Sequence, residues 1–128
     1  MIDEAIALVR IFQLHAGQPV ADKPVMVDID RVKTRIKWIT NELDEYLEAT
    51  TVYEQADALT DTLYYLLGAF VDSGISADQL FEIVHRANMS KFSLDGTVVQ
   101  GEDSKIEKPM GWIHPDLEIR DEIDRQMC

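Results

Sequence analysis

The chain has 128 residues, with 24 acids against 12 lysines and arginines and a net charge of −12. That balance argues against nucleic acid or a membrane surface as a partner, and the 46% apolar content excludes wholesale disorder and suits one folded domain, 1–128. A lone Cys128 excludes an internal disulfide framework or a Cys/His zinc site, and the acidic start Met1-Ile2-Asp3-Glu4 is unlike a signal peptide, so a cytoplasmic protein is expected.

Five segments have helical character, which predicts an all-α antiparallel bundle of four to five helices. The first runs from about Asp3 to His15, with Ile6, Val9, Phe12 and Leu14 as apolar positions, and ends at Gly17-Gln18-Pro19. The stretch 18–27 is irregular, and its place before the second helix allows a lid. Asp28 reads as an N-cap, followed by Ile29, Val32, Ile36, Ile39, Leu43, Tyr46 and Leu47 at helical spacing to about Glu48. Thr51 with Glu54 forms a capping box for a third helix reaching about Asp72, before Ser73-Gly74. Its second half, Leu63 to Val71, is apolar on nearly every side, which places it in the core of the domain or of an oligomer. Ser76 with Gln79 opens a fourth helix that runs to about Lys91. The segment 94–114 breaks the pattern. Asp95-Gly96 is a turn signal between the extended candidates Thr97-Val98-Val99 and Lys105-Ile106. Pro115 suits the first turn of a last helix, Asp116 to Gln126.

The carboxylates carry the chemistry. Glu42 and Glu45 share one side of the second helix. Glu54, Asp57 and Asp61 lie within an arc of roughly 60° on the third. The short connection makes the two helices antiparallel neighbours, and a turn near Thr50 puts Glu42 opposite Ala58 and Glu45 opposite Gln55. If the acidic faces meet, the carboxylates need a cation or must take up protons, and an all-oxygen site suits Mg²⁺ or Mn²⁺. The plainer alternative is a solvated helix face, with Glu54 serving the helix dipole.

Asn41-Glu42-Leu43-Asp44-Glu45, followed by Glu54-Gln55-Ala56-Asp57-Ala58-Leu59-Thr60-Asp61-Thr62-Leu63-Tyr64-Tyr65, resembles the paired acidic motifs of the MazG-like all-α nucleoside-triphosphate pyrophosphohydrolases. Val84 to Lys91 and Lys105 to Trp112 resemble the single-domain, phosphoribosyl-ATP-pyrophosphohydrolase-like subgroup, and the likeness runs from about Phe12 to Asp116. The chain departs from the pattern at Asn41 and at Ala58, where the family has glutamates. The resemblance implies a Mg²⁺-dependent hydrolase that cuts a nucleoside triphosphate into monophosphate and pyrophosphate. It implies a metal set drawn from Glu42, Glu45, Glu54, Asp57 and Asp61, with Glu42 and Glu45 catalytic and Asn88, Lys91, Lys105 and Lys108 on phosphates. A homodimer or homotetramer is implied as well. Phosphoribosyl-ATP is the alternative substrate, and a nucleotide- or metal-binding module without catalysis is the alternative of another class. Trp38 and Trp112 suit a core or an interface first, and stacking on a base second.

Overall fold

A computed structural model describes residues 1–92, 98 and 100–128, and among these residues there are five helices and no strand. They are α1 (Ile2–Ala16), α2 (Ile29–Glu48), α3 (Val52–Ser73), α4 (Asp78–Met89) and α5 (Asp116–Met127). Local chemistry sets most of the boundaries. Asp28 accepts a hydrogen bond from the Asp30 backbone N–H at the start of α2, and Thr51 accepts one from Glu54 N–H at the start of α3. Gly17 and Gly74 close α1 and α3 in the left-handed conformation, at φ 68° and 67°. Gly74 has a second reason to be glycine, because a Cβ there would collide with the Lys23 carbonyl. Helix α4 begins later than its capping pattern suggests, with Ala77 rather than Ser76 before its first residue.

The helices fall into two compact units, Met1–Ser76 and Ala77–Cys128. In the first, α2 and α3 make the most extensive pairing and α1 packs on α3. The apolar core is small. Val9 of α1 meets Leu67 and Val71 of α3, ringed by the partly buried Ile2, Ala5, Ile6 and Val20. Leu63, Tyr64 and Leu66 on the rest of α3 stay 53%, 40% and 47% exposed, so the described residues cover one side of its apolar half.

Polar chemistry does much of the joining. Gln13, Arg35 and Asp72, one from each helix, are buried to 1%, 6% and 5% exposure. The Arg35 guanidinium donates to both Asp72 carboxylate oxygens at 3.0–3.1 Å, and its Nη2 also donates to Gln13 Oε1 at 3.0 Å. Gln13 Nε2 donates to Asp72 Oδ1 at 2.9 Å and to the Pro19 carbonyl at 2.7 Å. Arg31 adds two bonds to Asp72 at 3.2 Å. Burial disfavours charge on Arg35 and pulls its pKa down, while the Asp72 carboxylate supports the charge. Gly68 leaves room for the network, since a Cβ there would run into the Arg35 guanidinium. The expected apolar stripe of α1 is therefore displaced. Gln13 is sealed because its amide is fully bonded, while Phe12 and Leu14 stay 51% and 59% exposed.

The stretch 18–27 is strapped down. Arg10 holds the Asp22 carboxylate at 2.6 Å and the Ala21 carbonyl at 3.1 Å. Ala21 and Val25 N–H groups donate to the Val71 and Ser73 carbonyls. These ties sit at the Asp72 end of α3, about 16 Å along the helix from Asp61. A lid over the acidic end is not what this segment forms.

In the second unit, α4 packs on α5, and Arg86 reaches Glu118 at 3.4 Å. The segment before α5 holds one isolated antiparallel bridge, Gln100 with Ile106. Asp95, Gly96, Thr97 and Val99 of the expected hairpin lie outside the described residues.

Asp72→Ala leaves the Arg35 guanidinium buried without its partner. The expected loss is about 3–5 kcal/mol of unfolding free energy, read by urea denaturation. Replacing the buried network together, Gln13→Met with Arg35→Met and Asp72→Leu, should restore part of that loss. A loss below about 1 kcal/mol for Asp72→Ala would show that the pair does not hold the three helices.

Candidate active site

One face of α2 and one face of α3 meet along the hairpin, and the pairs step outward from the turn. Arg35 meets Asp72 at the far end, and the Trp38 and Tyr65 rings lie 5.7 Å apart in the middle. Nearer the turn the facing positions are acidic. Glu42 senses the charges of Glu45, Asp61 and Asp57. The mirror geometry read from the sequence thus brings four of the five acids to one end of the hairpin.

The four are not equivalent. Glu42 and Asp61 are partly buried, while Glu45 and Asp57 are exposed. Glu42 Oε2 is shielded from solvent and has no hydrogen-bond partner among the described residues. The Glu42 carboxyl is pushed above the usual carboxylate range. Burial is the largest cause, followed by a hydrogen bond that Glu45 makes to the protonated form and by repulsion from Glu45, Asp61 and Asp57. A shielded, unpartnered carboxylate oxygen among like charges is what a hard divalent cation satisfies, and the oxygen-only donors fit Mg²⁺ or Mn²⁺. Among the described residues no three His, Cys, Asp or Glu side chains stand together as a finished metal site. Exposed carboxylates with no cation between them gain by turning outward.

Glu54 stands apart. Its Oε1 accepts from the Thr50 and Thr51 hydroxyls, each at 3.1 Å, and it is absent from the charges that Glu42 senses. Its position is explained by the start of α3. Ala58 is 1% exposed, so this methyl is packed away where the family motif has a carboxylate.

The four expected phosphate-binding residues lie in the second unit. Lys91 and Lys108 converge, each with Nζ 5.3 Å from the centre of the Trp112 ring. The indole is fixed by its N–H, which donates to the Ala87 carbonyl and the Ser90 hydroxyl at 2.9 Å. Lys105 lines a shallow depression with Lys108, Asp103 and Glu107, and Asn88 is exposed on the last turn of α4. Sequence reasoning found these lysines but missed that Trp112 gathers two of them. It also missed the network of Gln13, Arg35 and Asp72, whose members are far apart in the chain.

Residues 9–88 match the phosphoribosyl-ATP pyrophosphohydrolase family. Among solved structures, the chain is similar to a candidate NTP pyrophosphohydrolase from Exiguobacterium sp. 255-15. The two share 30% identity over 92% of this chain and 94% of that one, with a TM-score of 0.52. No curated protein matches the chain significantly.

The raised pKa of Glu42 has a sign that can be measured. The folded state holds this proton to higher pH than the unfolded chain does. The stability linked to Glu42 is therefore fully present below its unfolded value, about 4.3, and is lost as pH rises through the raised folded value. In chelator at pH 7, Glu42→Gln should melt at a higher temperature than wild type, and the difference should disappear below about pH 4. Mg²⁺ should raise the wild-type Tm and move that of Glu42→Gln far less. A variant that melts lower than wild type in chelator at pH 7 would contradict the crowding described here.

Proposed function

Because the chain belongs to the phosphoribosyl-ATP pyrophosphohydrolase family, hydrolases acting on pyrophosphate bonds, we propose that it hydrolyses a nucleoside triphosphate to monophosphate and pyrophosphate. The observation that carries this reading is Glu42 Oε2, buried and unpartnered among the acids of the α2–α3 hairpin. The residues to hold Mg²⁺ are Glu42, Glu45, Asp57 and Asp61, and Mn²⁺ fits the same donors. The ion supplies charge neutralisation for the phosphates and for the leaving pyrophosphate.

The chain's own groups do the rest. Water adds through oxygen to phosphorus as the bridging bond between the α- and β-phosphates breaks. Glu45 is exposed and next to Glu42, which suits it to take the proton that the water loses. Asp61, partly buried at the same level, holds the geometry. Glu54 belongs to the helix cap rather than to this set. In the second unit, Lys91 and Lys108, gathered on Trp112, have the charge to bind phosphate oxygens, as does Lys105, and the Asn88 amide can donate to them. The exposed apolar side of α3 is suited to a second copy of the chain, which agrees with a homodimer or homotetramer. No helix of the described residues is long and apolar enough to cross a membrane, and a nucleotide enzyme of this kind suits the cytoplasm. Phosphoribosyl-ATP stands as a second substrate reading because that is the family that residues 9–88 match.

With Mg²⁺ and a nucleotide panel, one pyrophosphate should appear per monophosphate. Glu45→Gln and Asp61→Asn should each lower kcat by about 100-fold or more. Glu54→Ala should leave turnover within a few fold and reduce stability by about 1 kcal/mol through the loss of the capping box. Binding of intact nucleotide with no pyrophosphate would replace the enzyme with a binding module. Release of orthophosphate would place the cut at a different bond.

A further inference from the structure

A pocket of about 270 Å³ opens between α1, α2 and α3, between the acidic end of the hairpin and the Arg35–Asp72 pair. Its volume lies slightly under the roughly 300–1,000 Å³ of whole small-molecule sites, which suits a single ring system. The walls include Phe12, Trp38, Tyr64 and Tyr65, with Gln13 and Arg35 behind them. Phe12 and Tyr64 meet edge to face at 5.7 Å, and Trp38 leans on Tyr65 at 5.7 Å. The guanidinium carbons of Arg31 and Arg35 both stand 5.1 Å from the Trp38 ring centre, so the indole is held in place. Trp38 precedes Glu42 by one helical turn, about 6 Å along α2. A ring held here lies about one helical turn from the level of Glu42.

Two donors at this pocket have no partner among the described residues, beside the Gln18 amide and the Tyr64 and Tyr65 hydroxyls, which can donate or accept. Arg35 uses Nε and Nη2 on Asp72 and Gln13, and among the described residues its Nη1 donates to none. Trp38 Nε1 likewise has no acceptor among them. Guanidinium and indole nitrogens only donate, so they reward an acceptor and reject an amino group. We propose that this pocket holds the base of the nucleotide and selects bases with a carbonyl oxygen at pyrimidine position 4 or purine position 6, namely uracil, thymine, guanine or hypoxanthine, over adenine and cytosine, which carry an amino group there. The assignment rests on the pyrophosphohydrolase reading of the neighbouring acids. It also separates the two substrate readings, because the base of phosphoribosyl-ATP is an adenine.

The test uses the full chain in chelator, with the Trp38 indole N–H resonance followed by NMR and assigned through Trp38→Phe. dUMP, dTMP and dGMP should shift it saturably, while dAMP and dCMP should bind about tenfold more weakly or worse. With Mg²⁺ and a triphosphate, Trp38→Leu should raise KM about tenfold, more than it lowers kcat, as expected for a lost stacking surface. Trp38→Phe keeps the plane and should fold in any case; it should keep most of the affinity and lose part of the selectivity. A Trp38 resonance that responds to none of the five nucleotides, or to all five equally, overturns the pocket assignment. Pyrophosphate release alongside a silent Trp38 leaves the reaction standing without the pocket. A selective Trp38 response with no cleavage of any triphosphate keeps the pocket and removes the reaction.

Discussion

The buried ion pair between Arg35 and Asp72 is the constraint on which the first unit depends. Three helices contribute to it, because Gln13 of α1 closes the network from the third side. Alone it is not an efficient source of stability, since removing two charges from water costs nearly what their attraction returns. Its consequence is register. A one-turn slip of α2 against α3 would in one direction leave Asp72 to Arg31 and turn the Arg35 guanidinium against an apolar turn, and in the other bring Ile39 to Asp72. Only one alignment satisfies both, and that alignment brings Trp38 to Tyr65 and Glu42 to the level of Asp61 and Asp57.

The hairpin is therefore polarised along its length. At one end Arg31 and Arg35 share the buried Asp72 carboxylate. At the other, carboxylates crowd Glu42, and among the described residues no cationic side chain pairs with them. Glu42 bears the strain of that second end, with a shielded oxygen that no donor among the described residues reaches. The two ends are linked physically, because the far pair fixes the height at which the near acids crowd. Between them lies the aromatic pocket, with its indole braced by the same arginines.

Much of this was legible in the chain, for local reasons. Asp28, Thr51 and Gly74 act within a few residues, and each sits where its capping chemistry predicts. The short link between α2 and α3 made an antiparallel pair unavoidable, and the acids followed from helical spacing. The network was not legible, since its members are separated by 22 to 59 positions and nothing local marks Gln13 as a core residue. Glu54 shows the opposite difficulty. Two physical roles predict the same residue, and only the hydroxyl contacts of Thr50 and Thr51 separate the cap from the metal set. The stretch 18–27 was open for a similar reason, because what straps it is backbone pairing to the end of α3.

The central claim is that the acids of the α2–α3 hairpin are assembled for a divalent cation. Crystals grown with Mn²⁺ and a non-hydrolysable nucleotide test it directly, through the anomalous scattering of manganese. The account predicts anomalous density within about 2.2 Å of Glu42 and of at least two of Glu45, Asp57 and Asp61, with the nucleotide phosphates completing the coordination. Manganese bound elsewhere, or nucleotide held with no metal at these carboxylates, would contradict it.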